Sequence, residues 1–96
     1  MPCSLSTHVL DTAAGRPAAG VVVELARDGA VVASAQTDVD GRARLADGLE
    51  PGPYALAFSP RSPFFRRIEL TVELEDGHYH VPLLVSPYGI ASYRGS

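Results

Sequence analysis

The sequence contains no lysine. All eight of its basic residues are arginine, set against eleven acidic residues for a net charge of −3. Arg66-Arg67 is a pair and not a stripe, so a nucleic-acid partner, which needs clustered cations, is not expected. Cys3 is the single cysteine, which rules out an internal disulfide and a cysteine-based zinc framework. No apolar run approaches the ~18 residues of a membrane-spanning helix, and no membrane partner is expected. The opening MPCSLSTHVLD shows neither a basic stretch nor an apolar core of a signal peptide, so a cytoplasmic location is expected. No window of a dozen residues has a convincing helical period, which predicts little or no helix.

Ninety-six residues make one domain, 1–96. With 46% hydrophobic and 20% charged residues the chain reads as globular. A domain of this size buries only about 60–65% of its unfolded surface, so association with further copies would help it. Glycine and proline recur at short intervals, the rhythm of an all-β sandwich. Arg66–Glu75 gives the clearest strand, with Ile68, Leu70, Val72 and Leu74 alternating with polar residues. Tyr54, Leu56 and Phe58 repeat the alternation after the Pro51-Gly52-Pro53 turn signal. Val21–Arg27 and Ala30–Thr37 flank Asp28-Gly29, a two-residue hairpin loop. Leu5–Asp11, Tyr79–Val85, a short strand from Arg42 and a last one at Ile90–Arg94 complete the set. About eight strands in one domain imply two antiparallel sheets packed face to face.

Alternation places two histidines on outward faces. Leu5, Thr7 and Val9 share one side of the first strand, Ser6 and His8 the other. In His78–Val85 the residues Tyr79, Val81, Leu83 and Val85 suit a core, leaving His78, His80, Pro82 and Leu84 outward. An apolar outward pair beside histidines is expected at an interface, where partial desolvation tunes a histidine pKa. Strand histidines also serve as ordinary surface polar residues. Three histidines are compatible with zinc, but no carboxylate stands at a ligand spacing beside them, and no metal or other cofactor is expected. Pattern alone reaches a β-sandwich with a histidine-lined outer face.

Four segments carry a resemblance. Ser6-Thr7-His8-Val9-Leu10-Asp11 with Gly15-Arg16-Pro17-Ala18, Thr37-Asp38-Val39-Asp40-Gly41-Arg42, Tyr79-His80-Val81-Pro82-Leu83-Leu84, and the terminal Tyr93-Arg94-Gly95-Ser96 occur in this order across nearly the whole chain. Together they resemble the 5-hydroxyisourate hydrolases of the transthyretin-like family. The resemblance implies an all-β, transthyretin/prealbumin-like β-sandwich of two four-stranded antiparallel sheets, assembled as a homotetramer that is a dimer of dimers. It also implies hydrolytic opening of 5-hydroxyisourate to a carboxylated ureidoimidazoline in urate degradation, with no cofactor. His8, Arg42 and His80 match the family's catalytic positions, and Tyr93, Arg94, Gly95 and Ser96 match the tail that closes the substrate site.

In that chemistry one histidine takes a proton from water while an arginine steadies charge on the carbonyl oxygen. Which of His8 and His80 is the base stays open, and Arg44, on the same side of a regular strand, competes with Arg42. Arg94 and the Ser96 carboxylate either hold the tail or touch substrate. The Ser59–Gly77 segment is shorter than is usual in the family, and Pro60 and Pro63 interrupt the place of a short helix. The rival readings are a non-catalytic transthyretin-like small-molecule binding protein and a structural sandwich domain. Transthyretin itself lacks the histidine pair and the Tyr-Arg-Gly-Ser end.

Overall fold

The computed structural model describes residues 2–96. They form β1 (Cys3–Asp11), β2 (Arg16–Pro17), β3 (Val22–Arg27), β4 (Ala30–Gln36), β5 (Arg42–Leu49), β6 (Gly52–Ser59), β7 (Ile68–Leu74), β8 (Gly77–His80), β9 (Leu83–Val85) and β10 (Ile90–Ser92), with no helix among the described residues. One sheet is four-stranded and antiparallel, in the order β4-β3-β6-β7. Its β3–β4 hairpin closes as the sequence predicts. Arg27 pairs with Ala30, and Asp28 and Gly29 both take positive φ, at 52° and 81°. Those are the dihedrals that a two-residue turn needs to match strand twist.

The second sheet departs from the expectation of four antiparallel strands. It has six strand segments: β10-β9-β1-β2 in order, with β5 and β8 also paired to β1. β1 runs parallel to both β8 and β9, and the register is the same on both sides of the gap between them. β8 and β9 are therefore one line interrupted at Val81-Pro82. Proline has no N–H to continue a ladder, and the buried Thr7 hydroxyl donates to the Val81 carbonyl at 2.6 Å in its place. The parallel direction is open to β8 because the chain enters it from β7, in the opposite sheet, and not by a hairpin from β1. Only a direct hairpin would have forced an antiparallel neighbour.

The inward faces meet in one core. Leu5, Val9 and Leu83 from the first-strand sheet pack with Val23, Leu25, Leu56 and Phe58 from the other, all fully buried. Truncating such a leucine to alanine costs about 2–5 kcal/mol. Cys3 is part of this core, its thiol 2.9 Å from the Glu75 carbonyl. The expected Arg66–Glu75 strand is realised as β7, while the two-residue β2 was not foreseen. Between β6 and β7 a serine turn stands where a helix was in question. Ser62 Oγ accepts from the Phe64 and Phe65 amides at 3.1 and 2.9 Å and donates to the Pro87 carbonyl at 3.0 Å.

Candidate active site

A tight turn delivers the arginine. Asp38 Oδ1 accepts from the backbone amides of Asp40 and Arg42, at 2.9 and 3.0 Å. Gly41 then takes φ +75°, and its carbonyl accepts from Val9 N at 2.7 Å. A Cβ at Gly41 would lie 2.4 Å from the Val9 carbonyl oxygen, so glycine is required both for the dihedral and for the close approach. The result pins the start of β5 against β1, with Arg42 directly opposite His8.

Alternation does the rest. β1 presents Ser4, Ser6 and His8 outward, β8 presents His78 and His80, and β5 presents Arg42 and Arg44. Register lines them up: Ser6 pairs with Arg44 on one side and His80 on the other. This face forms an open concavity of about 390 Å³, lined by Ser6, Arg42, Arg44, His78, His80 and Ser96 among others.

His80 is held by one ring nitrogen. Its Nδ1 lies 2.9 Å from Ser6 Oγ. Among the described residues Nε2 makes no hydrogen bond, and no buried side-chain nitrogen or oxygen is left without a partner, so Nε2 is open to solvent. The His80 pKa is lowered from the ordinary histidine value, first by burial and then by the positive fields of Arg42, His8 and His78. A half-buried imidazole is thereby kept neutral.

The two arginines are not equivalent. Arg44 donates to both carboxylate oxygens of Asp47, an ion pair that lowers the Asp47 pKa and raises that of Arg44. The Arg42 guanidinium makes no side-chain hydrogen bond or ion pair among the described residues, so its fork of donors is available. That difference separates two arginines that alternation alone could not.

The C-terminal tail divides between two places. Gly95 N donates to the His80 carbonyl at 2.6 Å, and a Cβ on Gly95 would sit 2.8 Å from the His80 Cδ2 atom. The bare Gly95 backbone therefore lies against the imidazole, and Ser96 reaches the concavity beside it. Tyr93 and Arg94 do not join them. Arg94 lies over the Tyr79 ring at 4.3 Å, and both residues line a separate cleft of about 360 Å³ with Leu70, Val72, Tyr79 and Val81.

Ser6 and His78 were not named as site residues from sequence. The signal was present: Ser6 shares the two-residue period of His8, and His78 that of His80. The expected outward apolar pair is smaller than it seemed, because Pro82 is already buried within the chain and Leu84 is half-buried. Among the described residues no three His, Cys, Asp or Glu side chains converge as a metal-ligand set.

Comparison with known proteins follows the same segments. The model of the HIUase/Transthyretin family matches residues 5–95, nearly the whole chain. This chain belongs to that family. Within the HIUase/Transthyretin family it is 47% identical to a 5-hydroxyisourate hydrolase of Caulobacter vibrioides, over 96% of this chain and 97% of the relative. That alignment runs over 112 positions, more than this chain's 96 residues, so the relative carries residues this family member lacks. The Klebsiella pneumoniae 5-hydroxyisourate hydrolase structure superposes with a TM-score of 0.88 at 35% identity, covering 98% of this chain and 99% of that one. Sea bream transthyretin, solved in complex with thyroxine, superposes at 0.85 with 24% identity, over 95% of this chain and 93% of that one. That second likeness speaks for the fold alone.

Proposed function

We propose that this protein hydrolyses 5-hydroxyisourate, and that the outer face of the β1 sheet is where it does so. The observation that carries the reading is His80: one nitrogen anchored, the other open, neutral, and accompanied by an arginine with free donors. The chain's family membership and its likeness to two 5-hydroxyisourate hydrolases agree with it.

In the mechanism this geometry supports, His80 Nε2 takes a proton from a water molecule as the water oxygen bonds to the ring carbonyl carbon. The carbonyl electron pair moves onto oxygen, where Arg42 meets it with its planar donors. The carbon–nitrogen bond then breaks, and the proton held by His80 passes to the departing nitrogen. The other water proton leaves with the carboxylic acid formed. General-base assistance of this kind is worth roughly 10²–10⁴ in rate. His8, across from Arg42 on the same face, orients the water or the substrate. Gly95 and Ser96 close the concavity, and Arg94 holds the tail by stacking on Tyr79.

The same proposal includes a homotetramer. In the single chain β7 and β10 are sheet edges, and Tyr93, Ile90 and Phe64 are exposed. Unpaired edges and exposed apolar side chains are what further copies cover.

The test is direct. 5-Hydroxyisourate is generated from urate by urate oxidase, and its ultraviolet absorbance is followed with and without the protein. Faster decay with the protein is expected. Unchanged decay with a folded, tetrameric sample would sink the hydrolase reading in favour of a carrier on the same scaffold, and light scattering reads the assembly independently.

A further inference from the structure

We propose that Ser6 and His78 are positioning residues for His80, forming with Ser4 a hydrogen-bond chain that keeps the His80 proton on Nδ1 and leaves Nε2 bare. The inference rests on the hydrolase reading and names how that site is set.

The chain is continuous. Ser4 Oγ lies 2.7 Å from His78 Nδ1, Ser6 Oγ 2.9 Å from His78 Nε2, and Ser6 Oγ again 2.9 Å from His80 Nδ1. It follows from the parallel register, which sets Ser4 beside His78 and Ser6 beside His80. Two serines two residues apart on one strand thus meet two histidines two residues apart on the next. Both nitrogens of His78 are engaged, one by each serine, while His80 is engaged only at Nδ1.

When Ser6 gives its hydrogen to one of the two rings, proton counting leaves two arrangements. Ser6 has one hydroxyl hydrogen and can give it to only one ring. If it donates to His80, the His80 proton sits on Nε2 and the ring cannot act as a base toward the concavity. His78 must then carry its own proton on Nε2, and Ser4 donates to His78 Nδ1. In the reverse arrangement Ser6 donates to His78 Nε2 and accepts from His80 Nδ1–H, while His78 Nδ1–H donates to Ser4. Now His80 Nε2 is bare and faces the open concavity.

Of these two, only the second survives catalysis without rearrangement. When His80 takes a proton on Nε2, its Nδ1–H still points at Ser6 Oγ, and the bond becomes charge-assisted and stronger. The first arrangement would require the hydroxyl to turn over before His80 could be protonated twice. A carboxylate at Nδ1 would also fix the tautomer, but it would raise the basicity of the ring. A neutral serine–histidine pair fixes it without adding negative charge. Around this chain stand His8 from β1, and Arg42, Arg44 and Asp47 from β5, with Asp47 already engaged by Arg44. The His80 pKa is lowered first by burial and then by the positive charges of this surrounding.

The experiment uses the full chain with ¹⁵N-labelled histidine, and compares wild type with Ser6→Ala, Ser6→Thr and His78→Gln. Nitrogen shifts and long-range couplings assign the His80 tautomer, and steady-state kinetics with 5-hydroxyisourate are run in parallel. Wild type is expected as the Nδ1–H tautomer. Ser6→Ala is expected to convert His80 largely to Nε2–H, with kcat down about tenfold and KM changed less than twofold. Ser6→Thr, which keeps the hydroxyl, is expected to restore both. His78→Gln, which removes the ring between Ser4 and Ser6, is expected to fall between. An Nε2–H ring in wild type overturns the proposal, as does a Ser6→Ala protein with unaltered tautomer and kcat. A wild type that holds Nδ1–H and responds to Ser6→Ala, yet does not hydrolyse the substrate, supports the positioning and removes the hydrolase reading instead.

Discussion

The two outer faces of the sandwich handle charge in opposite ways. On the β4-β3-β6-β7 sheet, Arg67 sits between two carboxylates, 3.4 Å from Glu24 and 3.6 Å from Glu69. At the end of that sheet Arg27 donates to the carbonyls of Glu50 and Pro51, both at 3.1 Å, and to the Tyr54 hydroxyl at 2.9 Å. On the β1 sheet Arg44 is clamped by Asp47, while Arg42 is left with its donors free and His80 with one nitrogen free. On the face away from the candidate site, Arg67 is paired with nearby acceptors. A surface that meets a polar transition state keeps some donors and acceptors uncommitted, since a group already satisfied has little left to offer as charge develops.

The sharpest way to break this contrast is to remove the open nitrogen. His80→Ala is expected to lower kcat by roughly 10²–10⁴ while the fold persists, because the side chain is only half-buried and lies on the outer face. Steady-state turnover with circular dichroism as a folding control checks it, and wild-type turnover would take His80 out of the chemistry. Next in size, Arg42→Gln is expected to lower kcat by about 10²–10³, the usual cost of a lost oxyanion donor. It carries a second signature in pH. His80 is held below the ordinary histidine value of about 6.5, so the acid limb of kcat/KM lies below that value. After burial, the positive charge of Arg42 contributes to the lowering, so its removal moves the limb upward, toward 6.5. A limb that stays in place would mean that Arg42 does not act on His80. Linkage runs in the same direction: between the lowered value and about 6.5 the unfolded chain binds more protons at His80 than the folded one. The stability this histidine allows is complete above 6.5 and is lost as pH falls through that interval.

Most of the fold was legible because strand alternation is a local signal. Ile68 to Leu74, Tyr54 to Phe58 and the Asp28-Gly29 turn each announce themselves within a few residues. The parallel pairing of β1 with β8 and β9 was not legible. It depends on which sheet the chain leaves at Leu74, and nothing in the local pattern states that. The site divides the same way. The outward direction of Ser6, His8, His78 and His80 could be read from period two, but their meeting depends on register between strands more than seventy residues apart. Alternation could not choose Arg42 over Arg44; the resemblance chose Arg42, and the Asp47 carboxylate that engages Arg44 comes from the irregular stretch of pairing near Ala46. Tyr93 and Arg94, adjacent in sequence to Gly95 and Ser96, line a different cleft of the single chain.

Gly95 offers a finer test of the same face. Its missing side chain is what lets the tail backbone lie against the His80 ring, since a Cβ there would be 2.8 Å from Cδ2. Gly95→Ala must push either the tail or the imidazole aside by several tenths of an ångström. Displacement of a catalytic group on that scale is expected to lower kcat about tenfold, with the thermal midpoint little changed because the contact is peripheral to the core. An alanine variant with full activity would show that the tail can move away without disturbing His80.

The smallest expected effect belongs to the opposite face, and it is the control on which the comparison depends. Arg67→Gln removes the cation that Glu24 and Glu69 share, on a surface with none of the candidate site's residues. Exposed ion pairs contribute little because water screens them and both side chains lose freedom to form them. Stability is therefore expected to stay within about 0.5 kcal/mol of wild type, measured by urea unfolding. Turnover is expected to be unchanged. The same charge deletion, arginine to glutamine, is thus predicted to be nearly silent at Arg67 and severe at Arg42. If Arg67→Gln lowered kcat as far as Arg42→Gln, freedom of the guanidinium would not distinguish the two faces, and a contact between copies through β7 would have to be carrying the effect.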